Sequence, residues 1–309
     1  MLVPITLEIA MRVGVSGASG QLGRLVGEEL MGRLNVEDMV LVSRTPEALP
    51  EFADRGVEVR YGDFDVPGSL VDAFSGCDRL LLISSLAVGR RVEQHREALA
   101  AAAAAGVQRV VYTSVTNPAE GHPCGAVIDE HRLTEELLRD GPVDWTVLRN
   151  GPYAELQVPL GAVAITYGKL VTNAEDGRVA PISRADCAAA AAAVLMDEGH
   201  EGQIYEITGP EALSQADITR LLSEVSGRPV TVVRAGDRRL RWGLGRLGTP
   251  KPVAQAIVDL GIATREGYFD VVDGAFDRIT GRRRQTLRDV LTSHSIELTG
   301  VESAGLAYG

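Results

Sequence analysis

Gly17, Gly20 and Gly23 stand three apart in Gly17-Ala18-Ser19-Gly20-Gln21-Leu22-Gly23, directly after the apolar run Val13–Ser16 and directly before a helical stripe. A tight turn needs glycine, a backbone without side chains lets an anion come close, and a helix start offers unpaired N–H groups and a favourable dipole. The last small residue lets helix and strand pack closely. In isolation the triplet is only a glycine-rich turn. Placed between a strand and a helix, it predicts a turn that holds the pyrophosphate of a dinucleotide.

The end of the second strand separates the two nicotinamide dinucleotides. An acid there holds ribose hydroxyls, whereas a cation suits a 2′-phosphate. Ser43-Arg44-Thr45 carries no acid. Arg44 offers a planar fork, so NADP(H) is preferred and NAD(H) stays open. The plain alternative is a solvated surface arginine. Arg24, next to the last glycine, offers a second charge. Asp63 and Phe64 follow the third strand, where an adenine ring would lie. Ser84 and Ser85 end the fourth strand, and Thr113 and Ser114 the fifth. All of these fall on the carboxyl edge, where open α/β sheets bind ligands. Singly, each could be a cap or turn residue.

The elements that must position these groups are legible from the pattern. Strands are predicted at Val13–Ser16, Met39–Ser43, Val57–Tyr61, Arg79–Ser84, Arg109–Ser114 and Trp145–Arg149. Several are near-continuous Val, Leu and Ile, as expected for parallel strands covered on both faces. Leu22, Leu25, Val26 and Leu30 form one helical stripe. Arg90–Ala105 is an Ala-rich helix ending before Gly106, and Leu133, Leu137 and Leu138 mark another. Alternating strand and helix demands crossovers, hence a Rossmann-like, doubly wound parallel sheet of the α/β class. After Asn150 the rhythm breaks: residues 151–183 read as irregular. A second Ala-rich helix at Ala185–Met196 and a strand at Gln203–Thr208 follow, the strand rejoining the sheet. Ser214 and Asp217 resemble a capping box, opening a helix striped by Ile218, Leu221, Leu222 and Val225. Val230–Arg234 reads as a strand. The expected organisation is an N-terminal extension over residues 1–10, a nucleotide-binding domain over 11–150 that 184–208 rejoin, and a smaller α/β lobe over 151–309 for the substrate.

The 309 residues carry 45% apolar and 24% charged side chains, the make-up of a globular chain. Lys and Arg number 31 against 42 Asp and Glu, a formal charge of −11. Such a surface repels phosphate backbones and anionic lipid, which argues against a nucleic-acid or membrane-surface role. Cys77, Cys124 and Cys187 form no CxxC and no metal-ligand spacing, in keeping with a reduced cytoplasmic protein and no metal. No apolar run is long enough to span a bilayer, and MLVPITLEIA lacks the basic start of a signal peptide. The oligomeric state is open, a homodimer being one option.

GASGQLG, the Gly62–Pro67 segment GDFDVP, LLISS at Leu81–Ser85 and VYTS at Val111–Ser114 resemble the NmrA-like branch of the atypical short-chain dehydrogenase/reductases. Val88–His95 (VGRRVEQH), Asp129–Glu136 (DEHRLTEE), Leu148–Gly151 (LRNG), SRAD at Ser183–Asp186 and EVSGRP at Glu224–Pro229 are similar to type-2 NAD(P)H:quinone oxidoreductases and triphenylmethane reductases. The match runs from Met11 to about Val290. The resemblance implies NADPH held in a cleft between a Rossmann-like domain and a small lobe. It further implies hydride transfer to a quinone-like or other conjugated acceptor, without flavin or metal. By carry-over Gly17, Ser19, Gly20, Gln21, Leu22 and Gly23 hold the pyrophosphate, Arg44 the 2′-phosphate, and Asp63 and Phe64 the adenine. Ser84, Ser85, Thr113 and Ser114 serve the ribose and nicotinamide.

The superfamily's YxxxK pair is absent: Val127 stands at the tyrosine position and His131 at the lysine position. Reduction of a carbonyl to an alcohol needs a proton for an alkoxide. A hydroquinone anion is far more stable and takes its proton from water, so quinone reduction survives the loss. His131 is expected to hydrogen-bond the cofactor ribose and, titrating near neutrality, to assist proton delivery. Asn150 and Tyr153 are candidates to line the acceptor pocket, with a strand-end turn before Gly151-Pro152 as the plain alternative. His122 and Cys124 read as members of an exposed loop, Trp145 as core, and Trp242 and Tyr268 as pocket-lid candidates. Arg238, Arg239, Arg241 and Arg282–Arg284 read as solvated faces or partners for acids. The competing function is a non-catalytic NADP(H)-sensing regulator of the NmrA type, which would bind the dinucleotide and report to a protein partner.

Overall fold

The computed structural model describes residues 11–300, so the expected extension over residues 1–10 lies outside the described residues. In chain order the strands are β1 (Val13–Ser16), β2 (Met39–Ser43), β3 (Glu58–Tyr61), β4 (Arg79–Leu82), β5 (Arg109–Val115), β6 (Asp144–Asn150), β7 (Lys169–Thr172), β8 (Arg178–Val179), β9 (Gln203–Ile207), β10 (Leu213–Ser214) and β11 (Thr231–Arg234). Seven of them make one sheet in the order β3-β2-β1-β4-β5-β6-β9. β1 pairs in parallel with β2 and β4, Val13 lying opposite both Met39 and Arg79. The sequence order reverses at β1, so the crevice at the carboxyl ends of β1 and β4 is the switch point where such sheets bind ligands.

Contacts divide the described chain into two compact units. The first comprises 11–113, 134–147 and 191–203; the second comprises 114–133, 148–190 and 204–300. The carboxyl ends of β5, β6 and β9 therefore belong to the second unit. Each unit has its own core. In the first, Val40, Leu70, Phe74, Leu80, Leu82, Val110 and Tyr112 pack together with no more than 1% exposure, and Trp145 lies partly buried against them. Burying each such aliphatic side chain contributes roughly 1.5–3 kcal/mol. In the second, Val158, Ile165, Ile218, Leu222, Phe269 and Leu291 form the equivalent cluster.

Two arginines start adjacent strands of the first unit and turn downward. Arg79 donates to the carbonyls of Leu195 at 2.6 Å and Asp197 at 3.1 Å, and also pairs with Glu198. Arg109 reaches Val194 O at 3.0 Å and Asp197 O at 2.8 Å, and pairs with Glu201. These are the orphan carbonyls at the carboxyl end of helix Arg184–Met196, where cations are favoured. Ala188 to Ala193 in that helix are all buried, which explains the alanine run: a helix buried on every side needs small side chains.

The irregular reading of 151–183 is corrected. Helix Gln157–Tyr167 occupies it, followed by β7 and β8. The helix is apolar nearly all round, with Pro159 and Gly161 inside it, so it shows no stripe. Gly161 packs so tightly that a Cβ there would lie 2.5 Å from Leu222 Cδ2. The strand expected near Val230–Arg234 exists as β11 and pairs in parallel with β7, outside the main sheet. The capping box is present: Ser214 Oγ accepts from Asp217 N and the Asp217 carboxylate accepts from Ser214 N. Among the described residues no helix is long and apolar enough to cross a membrane.

Candidate active site

In the first unit, β1 runs into Gly17, whose φ of +66° lies in the left-handed region that favours glycine. Gly20 caps helix Gln21–Met31 with an extended backbone; no side chain caps it and its first turn holds no acid. The amides there are left facing outward beneath a positive dipole end, as an anion site requires. Gly23 is needed for close packing: a Cβ would lie 2.5 Å from Gly17 O and 2.7 Å from Ala18 Cα. Gly17, Gly20 and Gln21 are exposed, Ser19 is half-buried, and Leu22 is buried beneath the turn. The turn is fastened to the end of β2. Ala18 N donates to Val42 O at 3.1 Å, and Ser43 Oγ donates to Ser19 Oγ at 2.9 Å while accepting from Thr45 N at 3.0 Å. Ser43 was not among the sequence candidates, although a hydroxyl ending the apolar strand MVLVS was its signal. These residues fit a pyrophosphate.

Arg44 follows Ser43 and is exposed, with no hydrogen-bond or ion-pair partner among the described residues. Arg24 is a correction. Its guanidinium is engaged with Ser19 O at 3.2 Å, with Ala48 O and with Glu51, so its charge is already matched. Asp63 and Phe64 are half-buried beyond β3. Phe64 meets the His95 ring edge-on, with centroids 6.1 Å apart.

The ends of β4 and β5 are joined. Ser84 N donates to Thr113 Oγ1 at 2.9 Å, and Thr113 Oγ1 donates to Ser84 Oγ at 3.4 Å. Ser85 N donates to His95 Nε2 at 3.1 Å, while Ser85 Oγ donates to Gln94 Oε1 at 2.5 Å. Arg91 Nε donates to Ser85 O at 2.6 Å, and Gln94 Nε2 to Asp65 Oδ1 at 2.7 Å. The Ser85 side chain thus serves its own loop. His95 is fully buried, and burial, assisted by Arg91, pushes its pKa down to about 3. Since Nε2 accepts, the neutral ring donates from Nδ1, 3.0 Å from Thr134 Oγ1. Sequence reasoning passed over His95, which closes the VGRRVEQH segment; an apolar face of helix Arg91–Ala104 hid it.

In the second unit, Ser114 (5% exposed), Asn150 (4%) and His131 (8%) are all buried, His131 within helix Ala126–Arg139. Thr116 N donates to Asn150 O at 2.9 Å, and Thr116 Oγ1 to Glu206 at 2.6 Å. Asn150 Nδ2 lies 3.5 Å from the Tyr153 hydroxyl, while Asn150 Oδ1 is buried without a partner among the described residues. The Arg184 guanidinium covers the Tyr153 ring at 4.5 Å from its centroid and pairs with Glu155. Burial of the Tyr153 hydroxyl pushes its pKa well above the ordinary phenol value, so it stays protonated.

The exposed-loop reading of His122 and Cys124 is corrected. His122 is only 3% exposed, packed on Tyr268 (centroids 4.3 Å) and Phe269 (5.6 Å). Cys124 is half-buried, with its thiol pKa pushed up to about 11 by burial, so it is no ready thiolate. Trp242 is 64% exposed, under the Arg246 guanidinium. Arg284 is an intramolecular partner, donating to the carbonyls of Thr208, Gly209 and Asp273 and pairing with Asp277.

A family model described as NAD(P)H-binding matches residues 17–198, which begin at the first glycine of the turn. The chain belongs to the NAD(P)H-binding family. It is 37% identical over 259 residues to quinone oxidoreductase 2 of Escherichia coli K12, covering 84% of this chain and 90% of that protein. It superposes with a TM-score of 0.86 on the NADPH complex of the E. coli NADPH-dependent quinone oxidoreductase (34% identity; 91% of this chain, 99% of that one). It also superposes, with a TM-score of 0.85, on the NADP(H) complex of Citrobacter sp. triphenylmethane reductase (30% identity; 92% and 99%). The Rossmann-like sheet and the quinone-oxidoreductase branch of this NAD(P)H-binding family are thus those the motifs indicated.

Proposed function

We propose that this protein is an NADPH-dependent oxidoreductase that reduces a quinone-like or other conjugated small molecule. The observation that carries the reading is the glycine-rich turn at Gly17–Gly23, whose helix start has no side-chain cap, with Arg44 beside it unpartnered among the described residues. NADPH, when bound, supplies a hydride from its nicotinamide ring. First-turn amides hold the pyrophosphate, and Arg44 selects the phosphorylated ribose over the bare one. Asp63 and Phe64 flank the adenine; Ser84, Ser85, Thr113 and Ser114 orient the ribose and nicotinamide, and His131 steadies the ribose. Asn150 and Tyr153 line the acceptor pocket in this reading.

Catalysis in this reading is chiefly the juxtaposition of two rings, with polar groups at the acceptor oxygen. The protonated Tyr153 phenol is a donor, and water supplies the proton that a hydroquinone anion takes. Direct transfer requires neither flavin nor metal. The test is NADPH consumption against a panel of quinones, triarylmethane dyes and enones. Turnover with at least one class supports the reading; tight NADPH binding with no turnover anywhere would replace it with the sensing role.

A further inference from the structure

Helix Gln157–Tyr167 carries no charged side chain, and neither do its flanking residues Leu156 and Gly168. One face is buried in the second unit through Val158, Gly161, Ala162 and Ile165. The opposite face is open, yet it is apolar as well. Leu156 is 49% exposed, Leu160 48%, Val163 45% and Tyr167 67%. Leu156 has helical backbone angles (φ −66°, ψ −20°), so it continues the line of the helix. Steps of four, three and four residues keep these side chains on one side. Surface helices ordinarily put charged and polar groups there. A continuous apolar stripe in that place marks a contact surface.

The chemistry and spacing of the stripe select its occupant. Helices that lie on lipid carry Lys or Arg beside their apolar face; this one has none, in a chain of formal charge −11. A conjugated small acceptor is too short, since the stripe runs roughly 16 Å along the axis at about 1.5 Å per residue. A charged protein segment would bury its charges here without a counter-charge. A second copy of this chain meets none of these objections. Two such acidic chains repel each other over most of their surfaces, and a charge-free face is where they can touch. The four-three-four spacing also reads the same from either end. Two antiparallel copies of the helix, related by a two-fold axis level with the Gly161–Ala162 bond, set Leu156 against the partner's Tyr167 and Leu160 against the partner's Val163. Every apolar side chain of the stripe then meets another.

We propose that this stripe joins two copies of the chain into a homodimer, through antiparallel pairing of helix Gln157–Tyr167 with its own copy. Apolar patches of this kind amount to about 300–600 Å². A standard interface buries roughly 800 Å² on each partner. The stripe is therefore the apolar centre of the interface, with neighbouring polar residues at its rim, and the dimer is reversible. The inference stands independently of the oxidoreductase reading.

Sedimentation equilibrium of the full chain, at micromolar to tens of micromolar concentration, tests the pairing and its register. The wild type should show a concentration-dependent mass rising toward twice that of one chain. Leu160→Glu and Val163→Lys each set a charge against an apolar side chain of the partner, so each alone should weaken dimerisation by about 100-fold or more. Mixed in equal amounts, the carboxylate introduced in one chain faces the ammonium introduced in the other, and about 10-fold or more of the loss should return. A wild type that stays monomeric throughout overturns the inference. So does a dimer that survives in both variants, or a mixture no more associated than its components. Both positions are half-exposed in the single chain, so both variants are expected to fold. Should either fail, amide hydrogen exchange of the wild type decides instead: protection of Gln157–Tyr167 must rise with protein concentration, and a rate there independent of concentration overturns the proposal.

Discussion

The backbone N–H of Ser85 donates to His95 Nε2 at 3.1 Å, so a buried, neutral imidazole holds the loop that leaves β4. This bond works only while Nε2 is unprotonated. The folded pKa of about 3 lies below the ordinary 6.5, so the unfolded chain binds the extra proton between those values. Stability from this group is therefore full above pH 6.5 and falls as pH drops toward 3, by up to about 1.4 kcal/mol per unit. Denaturant unfolding at pH 7 and pH 5 should show this loss in the wild type and a smaller one in His95→Gln. Equal losses would detach the acid sensitivity from His95.

Arg44 has no acidic partner among the described residues, which leaves its charge open to a ligand. Arg44→Ala should weaken NADP(H) about 10- to 100-fold and leave NAD(H) nearly untouched, as expected for one lost charge-assisted contact. Calorimetric titration with both dinucleotides checks this. Equal weakening of the two would make Arg44 a structural residue.

Gly23 has no room for a side chain, as a Cβ would press on Gly17 O and Ala18 Cα. Both are backbone atoms of the turn itself. Gly23→Ala should lower stability by about 1–3 kcal/mol and reduce affinity for both dinucleotides together. Thermal melts with and without NADPH measure the two effects; an unchanged ligand-induced shift in Tm would count against the turn as the binding element.

Ser214 begins helix Gln215–Ser226 with both halves of its capping box in place. Ser214→Ala should cost about 1 kcal/mol without altering NADPH affinity. Urea unfolding and calorimetry together report it. A loss of NADPH affinity in this variant would contradict the division of roles described here.

The parallel sheet was readable because Met39–Val42 and Leu80–Leu82 are continuous apolar runs, a pattern that only two-sided burial explains. The anion turn was readable because glycine spacing is a backbone requirement and leaves a local trace. Helix Gln157–Tyr167 left none: Leu160, Val163 and Tyr167 on its exposed face are as apolar as its buried face, so it lacks the one-sided period by which helices are recognised. His122 was misread for a different reason. Its neighbours Tyr268 and Phe269 lie far along the chain, and nothing local distinguishes a histidine covered by distant aromatics from one in water. His95 shows the same limit, since its role is set by the loop that folds back onto it from Ser85.

Arg79 and Arg109 clamp the carbonyls beneath β4 and β5, at the opposite tips of the strands that deliver Ser84 and Thr113 upward. The clamp and the proposed recognition residues therefore occupy separate ends of the same two ribbons. If the upper rim holds the ligand as proposed, heat tolerance drifts through changes in the lower grip while ligand preference drifts through changes in the rim. An evolving lineage, or an engineer, can adjust one without disturbing the other.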